Sequence, residues 1–198
     1  MQTTRLIIVA VGGQGNLLAS KVLGEAALLA DVPVRMREIH GMGQRGGVVE
    51  SAVVFGDAQS TIISDGEADV LLGFEPSETL RALNKCNAET VVITNTAPLP
   101  PFTVSIGQGT YPDLNEVQEL IRQKTARLVA FDALDLAKQA GNFMSLNMVL
   151  LGSLIQTGIM PVSADNIKEA IQTSTKKAFV DINIKAFELG FEAAAKAA

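Results

Sequence analysis

The chain has 198 residues, 47% of them hydrophobic, enough apolar material for one well-buried core and no composition shift that demands a second. A net charge of −5, a sequence pI near 4.9, a single Tyr and no run of basic residues leave no electrostatic footprint for nucleic acid. The lone cysteine, Cys86, excludes an intramolecular disulfide, and one thiolate cannot by itself hold an iron–sulfur cluster or a structural zinc.

The polar start, Met1 to Arg5, gives way at once to Leu6–Val11, a continuous β-branched run of the kind buried on both faces of a parallel sheet. No signal peptide is expected, and a cytoplasmic location is. Gly12-Gly13-Gln14-Gly15 follows, and from Asn16 the positions Leu17, Leu18, Val22, Leu23, Ala26, Ala27 and Ala30 recur at helical spacing. Strand, glycine turn and helix together outline a phosphate-binding geometry. The turn departs from the dinucleotide fingerprint, and no Gly-Lys-Ser/Thr closes a P-loop, so neither class of nucleotide site is supported. Close strand–helix packing is the competing reading of these glycines.

Val34 to Ile39 alternates as a second strand and leads into Ile39–Ser51, which holds four glycines, the only histidine and a Gln-Arg pair within thirteen residues. Gly41, Gly43, Gly46 and Gly47 permit positive φ. Gln44 and Arg45 add donors, the guanidinium being a planar fork suited to carboxylate or phosphate. An anion is the expected guest, against a tight loop with Arg45 in solvent and His40 holding the loop by hydrogen bonds. His40 is the one weak candidate for an acid or base. If the first two strands are parallel neighbours, both glycine loops emerge at one sheet edge, where open α/β sheets bind ligands.

Val48 to Phe55 reads as a third, antiparallel strand, Ser60 to Ile63 as a short extended piece, and Val70 to Phe74 as a fully apolar strand. Glu75-Pro76-Ser77-Glu78 opens a helix, with Glu75 as its cap. Cys86 follows a helix end as a half-buried bystander. Thr90 to Thr94 is the next strand, Asn95 to Pro101 a proline-stiffened loop, Asp113-x-x-Glu116 a capping box, and Ala126 to Phe131 the last strand. Asp132 and Gly141 bound a short helix.

The final third is helical. Leu146 to Ile155 is apolar nearly all round and belongs in the core; it falls short of the roughly 20 residues that span a bilayer. Asn142 or Ser145 can cap it, and Ser163 or Asp165 the next helix. In the last, roughly 176–196, Asp181, Lys185, Glu188 and Glu192 form one narrow polar stripe between two apolar faces. Two faces need two neighbours, the second being either this same domain or a partner subunit.

Taken together, Gly12–Gly15, His40-Gly-Met-Gly-Gln-Arg-Gly-Gly47, Asn147-Met-Val-Leu-Leu-Gly152 and Asn183-x-x-Ala186-Phe187-x-x-Gly190 make the chain resemble the gamma subunit or domain of the 2-oxoacid:ferredoxin oxidoreductases, near the indolepyruvate oxidoreductase beta subunit. The resemblance covers essentially the whole chain. It implies one gamma-type catalytic domain over 1–198, a three-layer α/β/α fold with a mostly parallel, mixed sheet, and a multi-subunit enzyme that oxidatively decarboxylates a 2-oxoacid to an acyl-coenzyme A. Thiamine diphosphate, Mg and the iron–sulfur clusters are then expected in partner subunits and none in this chain alone. Coenzyme A is a co-substrate, ferredoxin is reached through the complex, and no membrane or nucleic acid is involved. Gly12, Gly13, Gln14, Gly15, His40, Gln44, Arg45, Gly46 and Gly47 are the expected substrate or coenzyme A contacts, with no nucleophile supplied. Competing readings are a stand-alone anion- or nucleotide-binding module and a purely structural subunit; self-association of the isolated chain is a further expectation, since partner-facing apolar surface would be left open.

Overall fold

The structure, a computed structural model, describes residues 2–40, 47–101, 104 and 106–197. Its centre is one sheet built from β1 (Thr4–Val11), β2 (Val34–His40), β3 (Val48–Phe55), β4 (Ala68–Gly73), β5 (Cys86–Asn95) and β6 (Arg127–Phe131) in the order β2-β3-β1-β4-β5-β6. β1, β4, β5 and β6 pair in parallel, while β3 runs antiparallel to both β1 and β2. The two early strands therefore run the same way without being neighbours. β3 lies between them, because the short connection from β2 returns as a hairpin instead of crossing over.

Period-two alternation divides the core between the two faces of the sheet. Leu6, Ile8 and Ala10 of β1, with Val70, Leu72 and Ile93, look toward one helical layer; Ile7 and Val9, with Leu71 and Val92, look toward the other. The first layer holds α1 (Asn16–Leu29), α4 (Ala133–Ala140), α5 (Leu146–Gln156), α6 (Ala164–Ser174) and α7 (Val180–Lys196). The second is thinner, with α2 (Pro76–Arg81) and α3 (Leu114–Lys124), whose Val117 and Ile121 are buried on the sheet. A three-layer α/β/α arrangement results.

Local chemistry sets the element ends. The Glu75 carboxylate accepts from the Glu78 N–H at the start of α2, and Asp113 accepts from the N–H groups of Asn115 and Glu116. Ser163 and Asn166 form a reciprocal capping box, and Gly141 closes α4 at φ 116°. Three expectations change. Residues 60–63 form no strand; β5 starts at Cys86, where Ala68 pairs with it before a register shift; and Ser145, instead of capping α5, gives its hydroxyl proton to Asn183 Oδ1 at 2.7 Å. Cys86 is fully buried at the start of β5.

Every residue from Leu146 to Ile155 is buried. α7 crosses α5 so closely that a Cβ on Gly152 would stand 2.8 Å from Phe191 N, and one on Gly190 2.6 Å from the Val149 carbonyl carbon. Both glycines are needed for backbone to touch backbone. α4 and α6 pack beside α7, so its two apolar flanks find their neighbours within the chain. Among the described residues no helix is long and apolar enough to cross a membrane.

Candidate functional site

The carboxyl ends of β1, β4 and β5 meet at one edge, where Gly12–Gly15 turns the chain from β1 into α1. Gly13 and Gly15 stand at φ 105° and 84°, a left-handed backbone that a side chain would strain. Gln14 locks the turn: its Oε1 accepts from Val11 N–H at 2.8 Å and its Nε2 donates to Phe74 O at 3.2 Å, bridging β1 to the end of β4. The Gln14 N–H itself returns to Val11 O at 3.1 Å. Gln14 is thus a brace of the turn.

The two glycine-rich segments meet at this edge although β1 and β2 are not the parallel neighbours that the expectation required; β3, lying between them, brings Gly47 beside Gly12. Gly12 N–H donates to Gly47 O at 2.9 Å, directly beyond the Val11–Val48 pair of the β1–β3 ladder. His40 ends β2 opposite Val49. Gln44, Arg45 and Gly46, with Gly41 to Gly43, lie outside the described residues, as does the placement of the His40 side chain.

Gly13 and Gly15 have different reasons to be glycine. A Cβ on Gly15 would come within 2.7 Å of the Asn147 amide, whose Nδ2 donates to Gly15 O at 3.2 Å; the first residues of α5 are thereby seated on the turn. A Cβ on Gly13 would meet nothing within 4 Å. The space beyond Gly13 belongs to a cavity of about 310 Å³ walled by Gly12, Gly13, Pro98, Leu99, Leu134 and Phe143.

Buried polar groups hold the far wall. Asn95 Nδ2 donates to Phe74 O and Ala97 O, both at 3.1 Å, and its Oδ1 accepts from the N–H groups of Ala97 and Ala133. The Glu75 carboxylate, 1% exposed, accepts from Leu99 N–H at 3.2 Å and Glu78 N–H at 3.0 Å, and from the Tyr111 hydroxyl. Burial, and then that same carboxylate, push the Tyr111 phenol well above its ordinary range. Glu75 is therefore a cap and a clamp at once: it ties the proline loop to the end of β4. Burial likewise raises the Glu78 carboxyl, and it raises the Cys86 thiol to about 11, which leaves that sulfur a protonated, poor nucleophile.

Sequence patterns alone do not show the roles of Asn95, Tyr111 and Asn16. Asn16, in the first turn of α1, is 4% exposed, and neither Nδ2 nor Oδ1 has a hydrogen-bond partner. Such an unspent buried amide is unusual. A polar residue directly after the glycine turn, at the head of a mostly apolar helix, is the signal the sequence offers for it. Among the described residues no group of three or more His, Cys, Asp or Glu could hold a metal ion.

The fold as a whole is that of a solved oxidoreductase gamma subunit. The crystal structure of the keto/oxoacid ferredoxin oxidoreductase gamma subunit from Geobacter sulfurreducens matches with a TM-score of 0.70 over 98% of this chain and 99% of that one, at 26% identity. The chain belongs to the pyruvate ferredoxin/flavodoxin oxidoreductase family, whose model matches residues 5–193. It is 45% identical to the indolepyruvate oxidoreductase subunit IorB of Pyrococcus horikoshii over 98% of this chain and 97% of that protein. The IorB of Thermococcus kodakarensis is 44% identical over the same shares.

Proposed function

We propose that this chain is the small, gamma-type subunit of a multi-subunit 2-oxoacid:ferredoxin oxidoreductase of the indolepyruvate kind. Its glycine-rich edge completes the side of the active site that receives the 2-oxoacid or coenzyme A. The observation that carries this reading is the Gly12–Gly47 hydrogen bond, which joins the two glycine-rich segments beside a cavity onto which Gly13 opens. The near-complete overlap with relatives that are themselves named as oxidoreductase subunits supports the same assignment. Thiamine diphosphate, magnesium and iron–sulfur clusters then belong to the partner subunits, and ferredoxin is reached through the complex.

The chemical task left to this chain is positioning. Backbone N–H groups at the start of α1 and the Arg45 guanidinium supply donors for a carboxylate or a phosphate. Gln14 and Gly15 take part indirectly, by fixing the turn and seating α5. With Cys86 buried and protonated, a nucleophile is not among its contributions.

The test is a reconstituted assay with partner subunits, thiamine diphosphate, ferredoxin and a panel of 2-oxoacids, comparing the native chain with Arg45→Ala. Losing one charge-assisted hydrogen bond, about 1.5–3 kcal/mol, raises the KM for coenzyme A or the 2-oxoacid about tenfold or more while the complex still assembles. Unchanged assembly and kinetics would remove the ligand role and leave the loop as packing.

A further inference from the structure

A second cavity, of about 410 Å³, shares Met144 with the first and lies between the heads of α1 and α5 and the turn that joins α6 to α7. We propose that it binds a small monocarboxylate carrying an apolar body. Its walls are Leu18, Met144 and Phe179, and its polar edge is made by Asn142, Asn183 and Lys176. Three motif segments singled out in the sequence, around Gly15, Asn147 and Asn183, therefore converge here, and the 2-oxoacid reading above uses the cavity for nothing.

The charge of the guest follows from how the amides are spent. Asn142 Oδ1 accepts from Met144 N–H at 3.0 Å, Asn147 Oδ1 from Met148 N–H at 3.0 Å, and Asn183 Oδ1 from the Ser145 hydroxyl at 2.7 Å. All three oxygens are occupied by the protein's own donors, and Asn147 Nδ2 is spent on Gly15 O at 3.2 Å, so Asn142 and Asn183 are the amides with N–H groups to offer a ligand and little accepting capacity. No Asp or Glu lines the cavity. Lys176 is exposed at its mouth and makes no ion pair among the described residues. At the wall the Ser174 hydroxyl oxygen is buried without a hydrogen-bond partner.

Donors with one cation and no carboxylate select an anion, and a single ammonium balances one negative charge, which favours a carboxylate over a phosphate dianion. The aliphatic and aromatic walls, in a cavity of small-ligand size, supply the affinity for the apolar body. The thioether of Met144 lets the pocket adapt to its shape.

The experiment titrates the full chain with 3-phenylpropanoate and with its neutral counterpart 3-phenylpropan-1-ol, followed by calorimetry and by the NMR signal of the Met144 methyl group. The carboxylate is expected to bind at least tenfold more tightly than the alcohol and to shift the Met144 methyl. Lys176→Met, at an exposed position, abolishes that preference while keeping the weak alcohol affinity, and Phe179→Ala weakens both ligands. Equal affinities, no binding at millimolar ligand, a Met144 methyl that does not move, or a preference that survives Lys176→Met would each overturn the assignment.

Discussion

The crossing of α5 and α7 offers the sharpest test of the packing. Gly190→Ala places a methyl carbon 2.6 Å from the Val149 carbonyl carbon and closer still to its oxygen, where carbon atoms rest at about 3.5–4.0 Å. Both obstacles are backbone, so no rotamer change relieves them and the helices must part by about 1 Å along their contact. Overpacking of this kind costs about 1–3 kcal/mol and occasionally more, against a gain of up to about 1 kcal/mol from replacing glycine within a helix. Because every obstacle is backbone the cost falls at the upper end, about 3 kcal/mol, which leaves a net loss of about 2 kcal/mol and lowers Tm by about 4–8 °C in a chain of this size. Gly152→Ala, whose methyl meets Phe191 N at 2.8 Å, behaves alike, and the double variant costs less than the sum because both methyls open the same gap. Equilibrium urea unfolding of the four proteins measures this. A Gly190→Ala chain as stable as the native one, or more so, would refute the close crossing and leave helix propensity as the ruling effect.

Glu75→Ala strips one carboxylate from three donors, Leu99 N–H, Glu78 N–H and the Tyr111 hydroxyl, and should cost about 3 kcal/mol by the usual penalty for buried unpaired groups; Tyr111→Phe should cost about 1 kcal/mol, both read by denaturant unfolding. The Cys86 thiol, with burial raising it to about 11, keeps its proton in the folded chain while the unfolded thiol ionises near 9, so its share of stability is intact below pH 9 and is lost as pH rises toward 11. Unfolding measured from pH 8 to 11 should fall less steeply in Cys86→Ala, and a disulfide reagent at pH 8 should label the native thiol only as fast as the chain opens. Asn147→Ala removes the bond to Gly15 O and the acceptor of Met148 N–H, and is expected to lower stability by about 1–2 kcal/mol, with the loss visible as faster amide exchange in the first turn of α1.

Much of the chain is legible in one dimension. The run Leu6–Val11 declares a strand buried on both faces, Pro76 behind Glu75 declares a helix start, and the unbroken apolar stretch Leu146 to Ile155 declares a helix without a wet side. These are local statements, carried by side-chain period and by capping chemistry, and they survive folding because nothing in the tertiary structure opposes them. Pairs of distant glycines are different. Nothing near Gly152 or Gly190 in sequence says that each must yield to the other helix's backbone, and nothing near Gly12 names Gly47 as its acceptor.

The sequence by itself thus determined the elements, their buried faces and the presence of two glycine-rich loops after two early strands. Only the tertiary structure decided that β3 separates those strands, that Gln14 is a brace while Gly13 opens on a cavity, and that Glu75 clamps a loop more than twenty positions away. The physical reason is that hydrogen-bond partners and cavity walls are chosen by which surfaces meet in space, and the order of strands in a sheet is not written in the period of any one of them.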